Sequence, residues 1–494
     1  MDLIKKWTTD LRYLPYQQWS DSYLETLTTT VHQSKWRLNY HIQPITGLLN
    51  DPNGFSYFNG KWHLFYQAYP MGPVHGLKSW YHVTSDNLVD WQNEDLALVP
   101  DNSYDSHGVY SGSGIAIDDQ LFLVYTGNVR DNQWQRSSYQ MGAWLNQENQ
   151  IKKIEQPLIL QEPGYTDHFR DPQIFLYEES YYILLGAQDT DLNGKILTYR
   201  SDDLMNWQLL GELNFTDKEM GFMIECPNLI FTDDHAVLLF CPQGIDHEQL
   251  NYQNIYPNTY VIADAFDSEN NQLTNTSDLK NLDEGFDVYA TQAFNTPDGR
   301  ALSVSWVGLP EISYPSDQDG WAHVLSMIKE ISVENQQLVQ KPVAEMKELR
   351  LENTPLAGSL SSKAVFLKKN VLSQYELNLV INEQTQGELT LFADETGHGF
   401  TLLFDTQNGT MTINREKVGI PFAEEYGQER SFTIDKGPLE LQIFVDTSLI
   451  EIFVNGGKQV ATARVFPTQT TTDLLLSAKQ GTFSGNFWTL RSMK

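Results

Sequence analysis

The chain has 494 residues, with 33 Lys and Arg against 64 Asp and Glu, for a formal net charge of −31. So acidic a surface repels phosphate backbones and anionic lipid, which argues against nucleic-acid and membrane partners. No apolar stretch reaches the ~20 residues that cross a bilayer. Two cysteines, Cys226 and Cys241, cannot supply a disulfide framework at this length. Reduced thiols, and a start ("MDLIKKWTTDLRYLPYQQW") with no apolar core like that of a signal peptide, give a cytoplasmic protein as the expectation.

Residues 1–35 read as an N-terminal arm with one short helix. Ser22 and Glu25 have capping-box spacing, and Leu24, Leu27 and Val31 share a helical face. From 36 to 348 the chain repeats. Hairpin-type turns at Asn59-Gly60, Asp118-Asp119, Glu178-Glu179, Asp233-Asp234 and Asp298-Gly299 are each flanked by apolar or aromatic strand material, at intervals of 59, 60, 55 and 65 residues. "SDNLVDW" at Ser85–Trp91 returns as "SDDLMNW" at Ser201–Trp207. A period near 60 residues with several strands per unit predicts a five-bladed β-propeller. A polar connector is expected at 349–360. Short alternating strands with tight turns follow, so 361–494 reads as a β-sandwich, with Asp446 and Glu451 on its solvent face. The fold class is all-β.

Three acids stand out against this frame. Asp51 in "NDPNG" lies eight residues before the first turn, Asp171 in "RDP" seven before the third, and Glu225 in "ECP" eight before the fourth. Such offsets give matching places on the inner strands of three blades, converging at one mouth of the channel. Ser111–Ser113 and Asp287–Ala290 hold the corresponding places in the other two blades. Paired carboxylates are the machinery of glycoside hydrolysis, so the implied partner is a small-molecule sugar. Asp51, between Asn50 and Asn53, is expected to keep a low pKa and suit a nucleophile. Glu225, after an apolar approach, is expected to be desolvated and protonated, and Asp171, beside Arg170, to stay ionised. The 11 histidines lack close ligand spacing, and His41, His63, His75 and His82 alternate with aromatics as core or pocket-wall residues. No metal or cofactor is expected.

These segments, in this order, carry a resemblance. "HIQPITGLLNDPNG" from His41, "FRDP" from Phe169, "ECPN" from Glu225, "YSGS" from Tyr110 and "GFDVYATQAF" from Gly285 resemble the motifs of glycoside hydrolase family 32. The resemblance implies a propeller followed by a sandwich, with Asp51 as nucleophile, Glu225 as acid/base and Asp171 as transition-state stabiliser. It implies Asn50, Gln67, Tyr110, Ser111, Arg170 and Trp306 as sugar contacts. "GPVHGLKSWYHVTSDNLVDW" from Gly72 and "YPSDQDGWAH" from Tyr314 are similar to members acting on sucrose 6-phosphate; the alternative is cleavage of plain sucrose or short fructo-oligosaccharides. Isoleucine at 224, where an aromatic is common, is expected on a pocket wall. For the phosphate, His75, Lys78 and His82 are the candidate ligands.

Overall fold

The structure is a computed structural model that describes residues 3–361 and 363–494. Met1 and Asp2 of the expected arm, and Ser362 of the expected sandwich, lie outside the described residues. The arm carries a Thr9–Arg12 turn of helix and a longer Asp21–His32 helix. Its N-cap is Ser20, whose hydroxyl accepts from Tyr23 N, rather than Ser22. Leu27 and Val31 are buried as the spacing predicts, while Tyr23 takes the third buried place.

Five antiparallel four-stranded meanders follow, each folded up from consecutive chain. Their first strands are Gly47–Phe58, Val109–Ile117, Tyr165–Tyr177, Met223–Thr232 and Val288–Asn295. Four of the five anticipated turns are two-residue hairpins, pairing Phe58 with Lys61, Ile117 with Gln120, Tyr177 with Ser180 and Thr232 with His235. Asn59 and Gly60 are left-handed (φ 50° and 77°), as are Asp233 and Asp234 (φ 50° and 63°). That matches the twist of the flanking strands. The fifth turn is a longer loop joining Asn295 to Ala301. The repeated heptapeptide does the same job twice. Asn87 and Asp203 accept from the backbone two and three residues on, and the indoles of Trp91 and Trp207 close each turn by donating to Leu88 O and Leu204 O.

The five first strands pack side by side in a closed cycle, each against the next and the last against the first. No sheet ladder joins them, so polar side chains do. Asn53 accepts from Gly112 N, and Ser113 bonds Pro172 O and Ile174 N. Gln173 bonds Leu229 N and O, Asn228 bonds Thr291 O and Ala293 N, and Gln292 accepts from Phe55 N. Each side chain satisfies backbone groups of the neighbouring strand that would otherwise be buried without partners.

Beyond the fifth meander, two six-stranded antiparallel sheets pack face to face over a core that includes Leu377, Leu389, Leu402, Ile443, Ile452 and Leu476. The expected connector at 349–360 is not a linker. Arg350–Ser361 is an edge strand of the first sheet, paired along its length with Gln480–Leu490. Asp446 and Glu451 are not on a solvent face either; both are fully buried. His41 bridges them, with Nδ1 2.9 Å from Asp446 and Nε2 3.1 Å from Glu451. Their side of the sandwich is covered by the meander body.

Candidate active site

All five first strands break register at the same step, with one extra residue opposite the second strand. The breaks fall at Asn50-Asp51, Tyr110-Ser111, Asp171-Pro172, Cys226-Pro227 and Ala290-Thr291. A bulge re-aims the side chains beside it, and five in a ring aim them at one place. Asp171, Cys226 and Ala290 take the first bulge position with left-handed φ of 68°, 49° and 47°. The three acids are therefore not at equivalent positions. Glu225 precedes its bulge, Asp171 is the first residue of one, and Asp51 is the second residue of another. They occupy successive steps across the ring.

Asp51 sits in a polar cradle. Its Oδ1 accepts from Asn50 Nδ2 at 3.0 Å, and its Oδ2 from Ser111 Oγ at 2.5 Å and Gln67 Nε2 at 3.5 Å. Asn50 also donates to Gln67 Oε1, and Gln67 to Ser111 Oγ. The buried Lys78 ammonium closes the network on Asn50 Oδ1. Burial holds Lys78 down to about 7, opposed by the Asp51 charge.

Glu225 is held by four hydrogen bonds. Arg170 donates through Nε and Nη2 (3.1 and 2.7 Å) to Oε1; Gln243 Nε2 and Tyr289 OH, each at 2.7 Å, donate to Oε2. Its surroundings are thus polar, not the apolar pocket expected. The preceding Ile224 points into the core among Leu184, Leu229 and Phe240, away from any pocket wall. Asp171 lies 4.0 Å from Arg170 Nε and accepts from Cys226 N at 3.1 Å. Yet its carboxyl is pushed up to about 7, because burial, together with the Glu225 and Asp51 charges, outweighs Arg170. Burial and Glu225 likewise raise Asp51 against the pull of Ser111, Asn50 and Lys78. Both expectations of low carboxylate pKa values are overturned for one reason: three acids share one desolvated site.

Cys226 completes the floor, with Sγ 3.9 Å from Asp51 Oδ2 and 3.6 Å from Asp171 Oδ2. These three side chains have metal-like spacing. Burial first, then the two carboxylates, push the thiol well above its ordinary value, so it is an S–H donor rather than a thiolate ligand. Cys226 and Cys241 are both free thiols.

Trp306 is buried across from Tyr289 and edge-on to the exposed ring of His75 (6.1 Å). His75 opens onto a cavity of about 920 Å³ beside the N-terminal arm, which Arg12 and His323 also line. Lys78 is spent on Asn50, and His82 is stacked on Phe65 and bonded to His63, out of the site. Tyr110 is half-buried, and its carbonyl accepts from Trp80 Nε1. Within Asp287–Ala290, Tyr289 reaches the site. Asp287 faces the sandwich instead, bound to Arg415 Nη1 at 2.7 Å. Cys226, Gln243 and Tyr289 contact the acids in addition to the residues expected from the sequence. Cys226 lies within "ECPN" and Tyr289 within "GFDVYATQAF", whereas Gln243 is brought in only by the second strand, His235–Gln243.

Nearly the whole chain aligns with known proteins. Residues 41–342 match the glycosyl hydrolases family 32 N-terminal domain, and 336–491 the family's C-terminal domain. The chain belongs to glycoside hydrolase family 32. Among family 32 relatives, it is 47% identical to a sucrose-6-phosphate hydrolase of Pediococcus pentosaceus, over 98% of this chain and 97% of that one. It is 46% identical to one of Streptococcus mutans, over 98% and 99%. In three dimensions it resembles the sucrose-6-phosphate hydrolase of Lactobacillus gasseri, with a TM-score of 0.95 and 42% identity over 99% of this chain and all (100%) of that one. It also resembles a variant of a Bombyx mori family 32 β-fructofuranosidase in complex with sucrose, with a TM-score of 0.82 and 29% identity over 96% and 97%. Family 32 membership makes the architecture a β-propeller joined to a β-sandwich.

Proposed function

We propose that this chain hydrolyses the β-fructofuranosidic bond of sucrose 6-phosphate, giving glucose 6-phosphate and fructose. The observation that carries the reading is the convergence of Asp51, Asp171 and Glu225 in a family 32 chain whose full-length relatives are sucrose-6-phosphate hydrolases. Sucrose itself is a second substrate, cleaved less efficiently. A phosphorylated sugar and two free thiols suit the cytoplasm.

The chemistry is a double displacement. An Asp51 oxygen attacks the fructosyl C2 while Glu225 protonates the departing glycosidic oxygen. Glucose 6-phosphate leaves, and Asp51 holds the fructosyl group as an ester. The Glu225 carboxylate then takes a proton from water as the water oxygen attacks C2, which frees Asp51. Tyr289 OH can rotate and accept from Glu225, so Oε2 can carry the proton. Asp171 grips fructosyl hydroxyls and stabilises positive charge as it develops on the ring. Asn50, Gln67, Ser111 and Arg170 position sugar and carboxylates, and Trp306 forms a wall. The five meanders are the blades of a five-bladed propeller over 36–348, a reading supported by the closed cycle of first strands.

The test compares kcat/KM for sucrose 6-phosphate and sucrose. A clear preference for the phosphorylated sugar is expected, and equal values would leave a plain β-fructosidase. Asp51→Asn and Glu225→Gln should each lower turnover by several orders of magnitude with binding retained. Turnover in methanol should yield the β-methyl fructofuranoside, and the α-anomer would exclude retention.

A further inference from the structure

The proposed substrate is a phosphate monoester, and a chain with 64 acids and 33 Lys and Arg must gather cations to hold it. One such gathering starts at Glu225 itself. Arg170, which holds Glu225, also donates through Nη1 to His168 Nδ1 at 2.9 Å. Accepting at Nδ1 fixes the His168 proton on Nε2 and turns that N–H away from Arg170. Burial, then Arg170 and Arg136, hold His168 down to about 4, which favours a neutral donor in the free protein. Arg136 comes next, with Nε 3.0 Å from Asp167, a carboxylate that is itself 41% exposed.

Directly across the ladder from Arg136 stands Arg130. Like charges directly opposed on one sheet face are destabilising, and the single Asp167 answers only one of them. Among the described residues Arg130 meets no carboxylate. Its Nη1 donates to Trp134 O, and its Nε is buried without a hydrogen-bond partner. A half-buried guanidinium without a counter-ion, opposite a second one, in a protein with two acids for every cation, implies an anion in the working complex. Tyr13 of the N-terminal arm walls this place, its ring 5.0 Å from that of Trp134.

We infer that Arg130, Arg136 and His168 form the subsite for the 6-phosphate of the leaving hexose. The inference rests on the proposed reaction. Glu225 protonates the bridging oxygen, so the leaving sugar lies beside Glu225 and Arg170, and its far end reaches the cations beyond them. Guanidinium forks match phosphate oxygens in pairs, and a monoester is a dianion above about pH 6.

The experiment measures kcat/KM for both substrates in the full-length wild type and in Arg130→Gln, Arg136→Gln and His75→Gln. Each arginine variant should lose about ten- to a hundredfold on sucrose 6-phosphate, the range for one charge-assisted hydrogen-bond partner. Sucrose should change by less than about threefold, the scatter of a neutral site. Inhibition by glucose 6-phosphate should weaken in parallel. If Arg136→Gln fails to fold through loss of Asp167, Arg130→Gln, with no ion pair to break, decides alone. Preference retained in Arg130→Gln, or lost only in His75→Gln, would overturn the subsite while leaving the substrate reading intact. A wild type without preference would overturn both.

Discussion

Lys78 donates to Asn50 Oδ1, so the Asn50 amide must turn its hydrogens toward Asp51 and Gln67. Reversing that amide would set an N–H against an ammonium, so one buried cation fixes the polarity of the whole cradle. Lys78 also lowers Asp51 electrostatically against the larger pull of burial. Replacing Lys78 by Met removes both effects. With Asp51 as the proposed nucleophile, the acid limb of kcat/KM against pH in the free enzyme should move to higher pH, because its carboxylate loses a favourable charge. Burial holds Lys78 down to about 7, and it carries its charge below that pH. An unmoved limb with a lower plateau would reduce Lys78 to a packing role. The sequence makes this residue a candidate phosphate ligand, whereas it is buried on Asn50. Its burial could not be read locally, because the strands that enclose it come from elsewhere in the chain.

The elements explain why some features were legible and others not. A two-residue hairpin demands left-handed φ, which few residue types tolerate, so Asn59-Gly60 and its counterparts announced the repeat. The bulges have no such signature, since they are defined against a partner strand. The step between Asp51, Asp171 and Glu225 was therefore invisible, and equal offsets from the turns suggested equivalence. Asp446 and Glu451 misled for a related reason. Alternation along Leu439–Asp446 and Leu449–Val454 shows that these strands have two faces, but not what covers each one. Here the cover is Asn39, Tyr40 and His41, with both Asn39 N and Tyr40 N donating to Asp446. Burial opposes charge on His41, yet hydrogen bonds and attraction from Asp446 and Glu451 outweigh it and raise the imidazole to about 9. The folded pKa thus lies above the unfolded value of about 6.5. The stabilisation is full below about 6.5 and is lost as pH rises through about 9. His41→Gln leaves the buried Asp446 without a charged partner, while Lys329, 3.6 Å from Glu451, still faces that acid; breaking a buried pair this way costs about 3–5 kcal/mol. Denaturant midpoints at several pH values should show a lower, flatter profile across that window; an unchanged slope would mean His41 is neutral in the native state.

For the molecule as a whole, the same junction decides whether the catalytic body can exist alone. Arg415 and Arg464 of the sandwich meet Asp287 of the fifth meander, through Nη1 at 2.7 Å and backbone N at 2.8 Å, and Tyr314 OH completes its shell. Around this polar centre lies continuous apolar packing. Tyr40, Met346 and Leu349 share a cluster with Phe444, Phe453, Val460 and Leu490, while Trp36 and Trp321 join Leu449 and Phe466 in another. Interfaces of that kind behave like a domain core cut in half. The active-site acids all come from the meanders, so a chain ending at 348 keeps every proposed catalytic group. It also exposes Tyr40, Trp36 and Met346 to water and leaves Asp287 without its cations. Such a patch drives association. The truncated chain should accumulate in the insoluble fraction, and refolded material should bind a hydrophobic dye and lack activity on sucrose 6-phosphate. A soluble, monomeric and active 1–348 fragment would show that the sandwich is an appendage. The expected result makes it the second half of the core on which the carboxylate ring is built.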